Sequence, residues 1–232
     1  MIQVKNLTKS YGKLKVLEDI HFEIEKGGIY AILGPNGSGK TTFLKILLGM
    51  VIPGSGEIHY NGEDILKSHE YRKHIGYLPQ IARFPDNLTV KEIIHMIADV
   101  REIDSLPEPL IALFGLDSFL DKKLGTLSGG TRQKVNIVLT FMFDSPVIVL
   151  DEPTAGLDPV SLIKLKSLIN EEKEKGKIIL ITSHIMSLVE ELADEVFFLL
   201  EGSIYFQGTI DALRRKTAAS NLEHAIAKIL EP

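Results

Sequence analysis

Apolar and polar positions alternate with a period of two at the start of the chain, over Ile2-Gln3-Val4-Lys5-Asn6-Leu7 and again over Ile20-His21-Phe22-Glu23-Ile24. That spacing turns one face of each segment toward a core and predicts strands. A Gly27-Gly28 turn leads into Ile29-Tyr30-Ala31-Ile32-Leu33, an uninterrupted apolar run expected of a parallel strand covered on both faces. Helical spacing follows over 39–50, with Phe43, Leu44, Leu47 and Leu48 apolar. Short strands are predicted at 57–60 and 75–78, and Asn61-Gly62 supplies a turn between them. From 88 to 144 the spacing is helical, with helices predicted near 89–101, 107–116 and 130–144. Apolar residues from Val135 to Phe143 surround most of the last helix, which predicts burial, and Asp144-Ser145-Pro146 stops it.

After 146 the pattern alternates: strand 147–150, helix 159–175, strand 177–182, helix 185–193, strand 195–200. Such alternation predicts βα units on a parallel sheet. Asp158-Pro159 suits a helix start and Gly176 a helix end. A hairpin is predicted near 196–207, turning at Glu201-Gly202. The expected fold class is α/β: one domain over 1–232, with an N-terminal antiparallel β subdomain, a parallel sheet core, a helical subdomain inserted at about 84–145 and a helical tail at about 209–232.

Composition narrows the function. The chain has 232 residues, 44% apolar and 25% charged, ordinary for a globular protein with its own core. It has no cysteine, which removes disulfide scaffolds, thiolate metal sites and thiol catalysis. A net charge of -5 argues against holding nucleic acid through the bulk field. No apolar run approaches the roughly 20 residues of a spanning helix, and the start of the chain reads as a strand, not a leader. Any membrane role is therefore expected to run through a partner.

Two motifs carry chemistry. Gly34-Pro35-Asn36-Gly37-Ser38-Gly39-Lys40-Thr41 fits G-x-x-x-x-G-K-[ST], placed between a predicted strand and a predicted helix. Glycines let backbone N–H groups converge on phosphate oxygens, and the helix start adds positive potential. Lys40 is expected to reach the β- and γ-phosphates, and the Thr41 hydroxyl to bind Mg²⁺. The second motif is Val147-Ile148-Val149-Leu150-Asp151-Glu152, an apolar strand ending in two carboxylates at a sheet edge where ligands bind. Asp151 is expected to hold Mg²⁺, and Glu152 to serve as general base if the chain turns there.

Leu127-Ser128-Gly129-Gly130-Thr131-Arg132-Gln133 resembles the signature of ATP-binding-cassette ATPases, and other motifs of that family follow in order. Tyr11 in Ser10-Tyr11-Gly12 is similar to its adenine platform, Gln80 in Tyr77-Leu78-Pro79-Gln80 to its glutamine loop, Asp158 in Ala155-Gly156-Leu157-Asp158 to its aspartate loop, and Ser183-His184 to its switch histidine. The resemblance implies an ATP- and Mg²⁺-dependent ATPase with a P-loop core. Residues Gly34 to Thr42 would bind the phosphates. Gln80, Thr41 and Asp151 would serve the metal, and Glu152, His184 and Gln80 the attacking water. Ser128 and Gly130 would face the nucleotide of a second copy, head to tail, and Gly129 and Asp158 would also belong to the nucleotide-binding set. In the family the residue after the two signature glycines is usually Gln; here it is Thr131, which puts the tuning of that interface in question.

The same resemblance implies an integral membrane permease as partner and a peripheral place on the cytoplasmic face of the inner membrane. The overall likeness is to single-cassette bacterial exporters, and leans toward the copper-processing group of nitrous-oxide reductase maturation. A soluble cassette ATPase of an iron–sulfur cluster scaffold is the alternative. No N-K-x-D guanine motif is present, and neither a GTPase nor a kinase explains Leu127 to Gly130. Ile81, Phe84 and Leu88, just after Gln80, either fill the base of the helical insertion or form an apolar floor for a helix of the membrane subunit.

Overall fold

A computed structural model describes residues 1–102 and 106–231; parts of the expected helical insertion (103–105) and tail (232) lie outside them. The first strand, β1 (Ile2–Tyr11), pairs antiparallel with β2 (Leu14–Ile24) and with β4 (Ser55–Tyr60), and β5 (Glu63–Asp64) completes a four-stranded sheet in the order β2-β1-β4-β5. Shifts in register along β1 and β2 mark bulges, so both strands run longer than the two cleanly alternating stretches.

The second sheet has six strands in the order β10-β9-β3-β8-β7-β6. They are β3 (Gly28–Leu33), β6 (Ile75–Leu78), β7 (Val147–Asp151), β8 (Ile178–Thr182), β9 (Glu195–Leu200) and β10 (Ser203–Gly208). All its pairings are parallel except β9 with β10, the hairpin that turns at Glu201-Gly202. Every residue of β3, β7 and β8 is buried. The two faces of β3 serve different cores: Ile29, Ala31 and Leu33 join the helical side, Tyr30 and Ile32 the side facing the first sheet.

That second core is capped by α1 (Lys40–Leu47), which buries Phe43, Leu44, Ile46 and Leu47. The helical side is filled by α2 (Val90–Val100), α3 (Glu108–Leu113) and α4 (Gly129–Phe141), all between β6 and β7, and by α5 (Pro159–Glu174) and α6 (Met186–Leu192). Thr89 and Glu92 close a capping box at the start of α2. Helix α4 buries an unbroken run from Val135 to Phe141, as its all-round apolar pattern requires. Helix α1 stops at Leu47, short of the expected 50, and two further helices are shorter than their patterns suggest. The apolar periodicity at 107–116 outlasts α3 because Leu116 is buried beyond a left-handed turn at Gly115. Helix α4 ends at Phe141, before the breaker Asp144-Ser145-Pro146. The tail forms α7 (Ile210–Thr217) and α8 (Leu222–Leu230), whose Leu213, Leu222 and Ala225 enter the helical-side core.

Candidate functional site

Between β3 and α1 the chain makes a loop that only glycines accommodate. Gly34 sits at φ +148, where a Cβ would come within 2.1 Å of the Leu199 carbonyl oxygen. Gly39, at φ +102, occupies the position before α1. The Lys40 ammonium donates to the loop carbonyls of Gly34 (2.7 Å) and Pro35 (3.0 Å). Burial pushes its pKa down, and the carboxylates of Glu152 and Asp151 pull it back up. The Ser38 hydroxyl is buried in this loop with no protein partner, an acceptor-and-donor group left for a ligand.

The loop, from Asn36 to Thr42, lines a cavity of about 330 Å³ together with Gln80, Asp151, Glu152, Thr182 and His184. Sequence separation is large, yet the parallel sheet delivers these residues to one edge, because Leu33, Leu78, Asp151 and Thr182 all lie at carboxyl ends of neighbouring strands. Glu152 follows β7 at φ +49. This left-handed turn answers the condition the alternation of a strand had set for it: the side chain swings toward the cavity. Its Oε1 lies 3.3 Å from His184 Nε2, and its Oε2 accepts from the His184 backbone N–H at 3.3 Å. A carboxylate and an imidazole in direct contact at the cavity can orient each other and take a proton from a water bound beside them. Asp151, one residue earlier, is buried and accepts from the Thr182 hydroxyl at 2.5 Å. The same hydroxyl accepts from the Glu152 backbone N–H at 3.2 Å.

The oxygen donors Thr41, Asp151 and the Gln80 amide line one cavity, a donor set that suits Mg²⁺. Among the described residues no cluster of three or more His, Cys, Asp or Glu could hold a metal alone. Mg²⁺ with few protein ligands, completed by waters and phosphate, is the mode these residues fit.

The remaining expected residues form a second locus. Ser128 caps α4, accepting from the Thr131 N–H at 3.2 Å. Gly130 packs against the loop after Glu152 so closely that a Cβ would lie 2.6 Å from the Gly156 carbonyl oxygen. Gln133 Nε2 donates to the Pro153 carbonyl at 3.0 Å, and Lys134 Nζ lies 2.8 Å from Asp158 Oδ2. Asp158 also caps α5 through Ser161, and with the Lys134 bond foremost its carboxyl is held well below the usual range. None of Ser128, Gly129, Gly130 and Asp158 lines the cavity of Lys40. Tyr11 does not line it either: it is half exposed, with the Lys9 ammonium 5.1 Å from its ring centre, while Leu14 and Val16 form that wall.

Sequence reasoning passed over Thr182, Leu14, Val16, Gln133 and Lys134. Thr182 had one signal, a hydroxyl at the last strand position before Ser183-His184; the others had none, because their roles depend on which loops meet. The apolar trio after Gln80 divides. Ile81 is 70% exposed, whereas Phe84 and Leu88 pack partly against the helical-side core. Among the described residues no helix is long and apolar enough to cross a membrane.

Comparison with known proteins gives consistent results. Residues 17–155 match the family model described as ABC transporter. The lantibiotic transport ATP-binding protein SrtF of Streptococcus pyogenes is 35% identical over 212 residues, covering 91% of this chain and 92% of that protein. The bacitracin transport ATP-binding protein BcrA of Bacillus licheniformis is 34% identical over 221 residues, covering 93% and 72%. A solved ATP-binding subunit of an ABC transporter superimposes over all of both chains with a TM-score of 0.93 at 32% identity. A dimeric cassette in a post-hydrolysis state, bound to ADP and Pi, shares the fold with a TM-score of 0.81 at 24% identity over 90% of this chain and 98% of that one.

Proposed function

Because this chain belongs to the ATP-binding-cassette family of transporter ATPases, we propose that its 330 Å³ cavity hydrolyses ATP with Glu152 as general base and His184 as its partner. The observation that carries the assignment is the Glu152–His184 contact at 3.3 Å, at the rim of the cavity that also holds Lys40, Thr41 and Asp151. Lys40 exchanges its two loop carbonyls for the β- and γ-phosphates, and residues 34–42 offer their backbone N–H groups. Glu152 Oε1 takes a proton from the attacking water, and His184 holds the carboxylate and the transferred group in line. Gln80 reaches the same space from the end of β6. Mg²⁺, when bound at Thr41, Asp151 and Gln80, would spread the charge that develops on the phosphates. Tyr11 offers its exposed ring to the adenine.

In this reading two copies join head to tail, and Ser128, Gly129, Gly130 and Asp158 of one copy complete the site of the other. The fold relative bound to ADP and Pi is itself dimeric. The whole of 1–232 acts as one ATPase domain, with 84–145 as its helical subdomain. Its work is delivered to a separate membrane permease, which keeps the protein at the cytoplasmic face of the membrane. The exposed Ile81 beside Gln80 is the apolar contact we assign to that permease, and Phe84 and Leu88 hold the segment down. The transport names of the relatives favour this over a soluble iron–sulfur scaffold; they lend nothing to the copper-processing likeness.

The deciding experiment is Glu152→Gln. ATP binding is retained, hydrolysis falls by about 10²–10⁴, and an ATP-bound dimer accumulates on size exclusion. Near-normal turnover would remove Glu152 from the base role.

A further inference from the structure

Thr131 stands where the signature pattern usually carries an amide, and its hydroxyl does something specific. Its Oγ1 lies 2.9 Å from Ser128 Oγ, while its backbone N–H donates to the same Ser128 oxygen at 3.2 Å. Among the described residues Thr131 Oγ1 makes no other hydrogen bond. A serine hydroxyl has two acceptor lone pairs and one hydrogen to give. One lone pair is taken by the Thr131 N–H. When the Thr131 hydroxyl donates as well, the second is taken, and the Ser128 hydrogen has to point away from the helix.

From this we infer that Thr131 is a positioning residue for the composite site, aiming the Ser128 hydroxyl as a donor at a phosphate oxygen of the nucleotide on a second copy. The inference rests on the head-to-tail reading above. The two hydroxyls then form a relay, Thr131 O–H to Ser128 O–H to phosphate. Each link polarises the next, since a hydroxyl that accepts a bond donates more strongly. Without nucleotide the pair can reverse, Ser128 donating to Thr131, so the hydrogen has a resting place and Ser128 is not left unsatisfied. Thr131 also restricts the geometry: its branched Cβ, fixed within the first turn of α4, has few rotamers, so the donor is held ready and little order is lost when phosphate arrives. A longer, unbranched side chain at this position would not confine its donor in that way.

The test uses the full chain in the Glu152→Gln background with ATP and Mg²⁺, reading dimer formation by sedimentation and nucleotide affinity of the isolated copy by a fluorescent ATP analogue. Thr131→Val keeps the shape and the backbone N–H bond but loses the hydroxyl. Its dimerisation should weaken roughly fivefold per composite site, so about 25-fold for a dimer with two. Affinity of the isolated copy and the melting temperature should stay unchanged. Thr131→Ser should restore most of the loss, and Thr131→Val should add nothing in a Ser128→Ala background. Wild-type dimerisation of Thr131→Val, with Ser128→Ala still weakened, would overturn the inference and leave the composite site standing. So would a full extra loss from Thr131→Val in the Ser128→Ala chain. If Ser128→Ala itself dimerises normally, the head-to-tail reading fails and the inference falls with it.

Discussion

Removing one buried hydroxyl, by Thr182→Val, tests how the carboxylates of Asp151 and Glu152 are held. Valine matches threonine in shape and suits the end of β8, so packing is preserved and only the hydroxyl is lost. That hydroxyl donates to Asp151 at 2.5 Å and accepts from the Glu152 N–H at 3.2 Å, with Thr182 only 2% exposed. A hydrogen bond to a charged group contributes about 1.5–3 kcal/mol net, and the Asp151 oxygen would be left without its donor in a place water reaches poorly. The Glu152 N–H retains the Thr182 carbonyl, also at 3.2 Å, so its loss is small. The sum is about 2 kcal/mol, or about 4–8 °C in melting temperature for a chain of this size. Denaturant unfolding of the nucleotide-free protein measures the first part. The functional part is read from ATPase against Mg²⁺ concentration: a carboxylate no longer oriented should need severalfold more Mg²⁺, and Thr182→Ser should repair both defects. A Thr182→Val protein with unchanged unfolding midpoint and unchanged Mg²⁺ dependence would refute this account of the site.

Further outcomes are expected. Tyr11→Ala should raise the apparent constant for ATP about tenfold, since stacking on a base contributes roughly 1–3 kcal/mol, with the rate at saturation nearly unchanged; unaltered affinity would leave Tyr11 a strand-end cover. Ile81→Asp should fold normally and keep basal ATPase while losing its response to the membrane permease, whereas Phe84→Asp, partly packed on the core, should lower the melting temperature. Phe197→Ala removes a buried ring that contacts Phe22 at 4.7 Å and Tyr30 at 6.0 Å between centroids, and should cost about 3–5 kcal/mol by denaturant titration. The carboxyls of Glu92, Asp144 and Asp158 are held low by bonds to Thr89, Lys177 and Lys134 respectively. Depressed carboxyls contribute stability that is present above the ordinary carboxylate range and lost as pH falls through their lowered values. The urea midpoint should therefore be flat from pH 7 to 5 and decline below about pH 4.

The strands were legible where burial imposes a simple rule. Continuous apolar runs at 29–33, 147–150 and 178–181 are what a doubly covered parallel strand needs, and all three lie in strands. The phosphate loop was legible because the geometry admits glycine alone at Gly34. Less was readable where a position depends on a neighbour distant in sequence. Glu152 reaches the cavity through a positive φ that no propensity indicates for glutamate. Leu14 and Val16 became the cavity wall, while Tyr11, one strand end away, lies outside it. Ile81 and Phe84 look equivalent in sequence and take opposite environments, since only tertiary packing decides which one finds the helical-side core. Helix 107–116 was overextended because a buried residue after a helix keeps the helical apolar rhythm.

The order of strands in the six-stranded sheet also has a consequence in time. Strand β3 lies between β8 and β9, of which β8 is made about 145 residues after it and β9 about 160. At roughly 5–20 residues per second on the ribosome, β3 is synthesised about 7–30 s before either hydrogen-bonding neighbour exists. Its wholly apolar side chains and both of its edges must be tolerated through that interval, and the long-range pairing makes the final step slow. A nascent chain stopped short of Ile178 can hold the phosphate-loop sequence yet lack the strands that support it. Such a fragment should aggregate or be captured by chaperones, and ATP should begin to protect the growing chain from protease only after β8 and β9 have emerged.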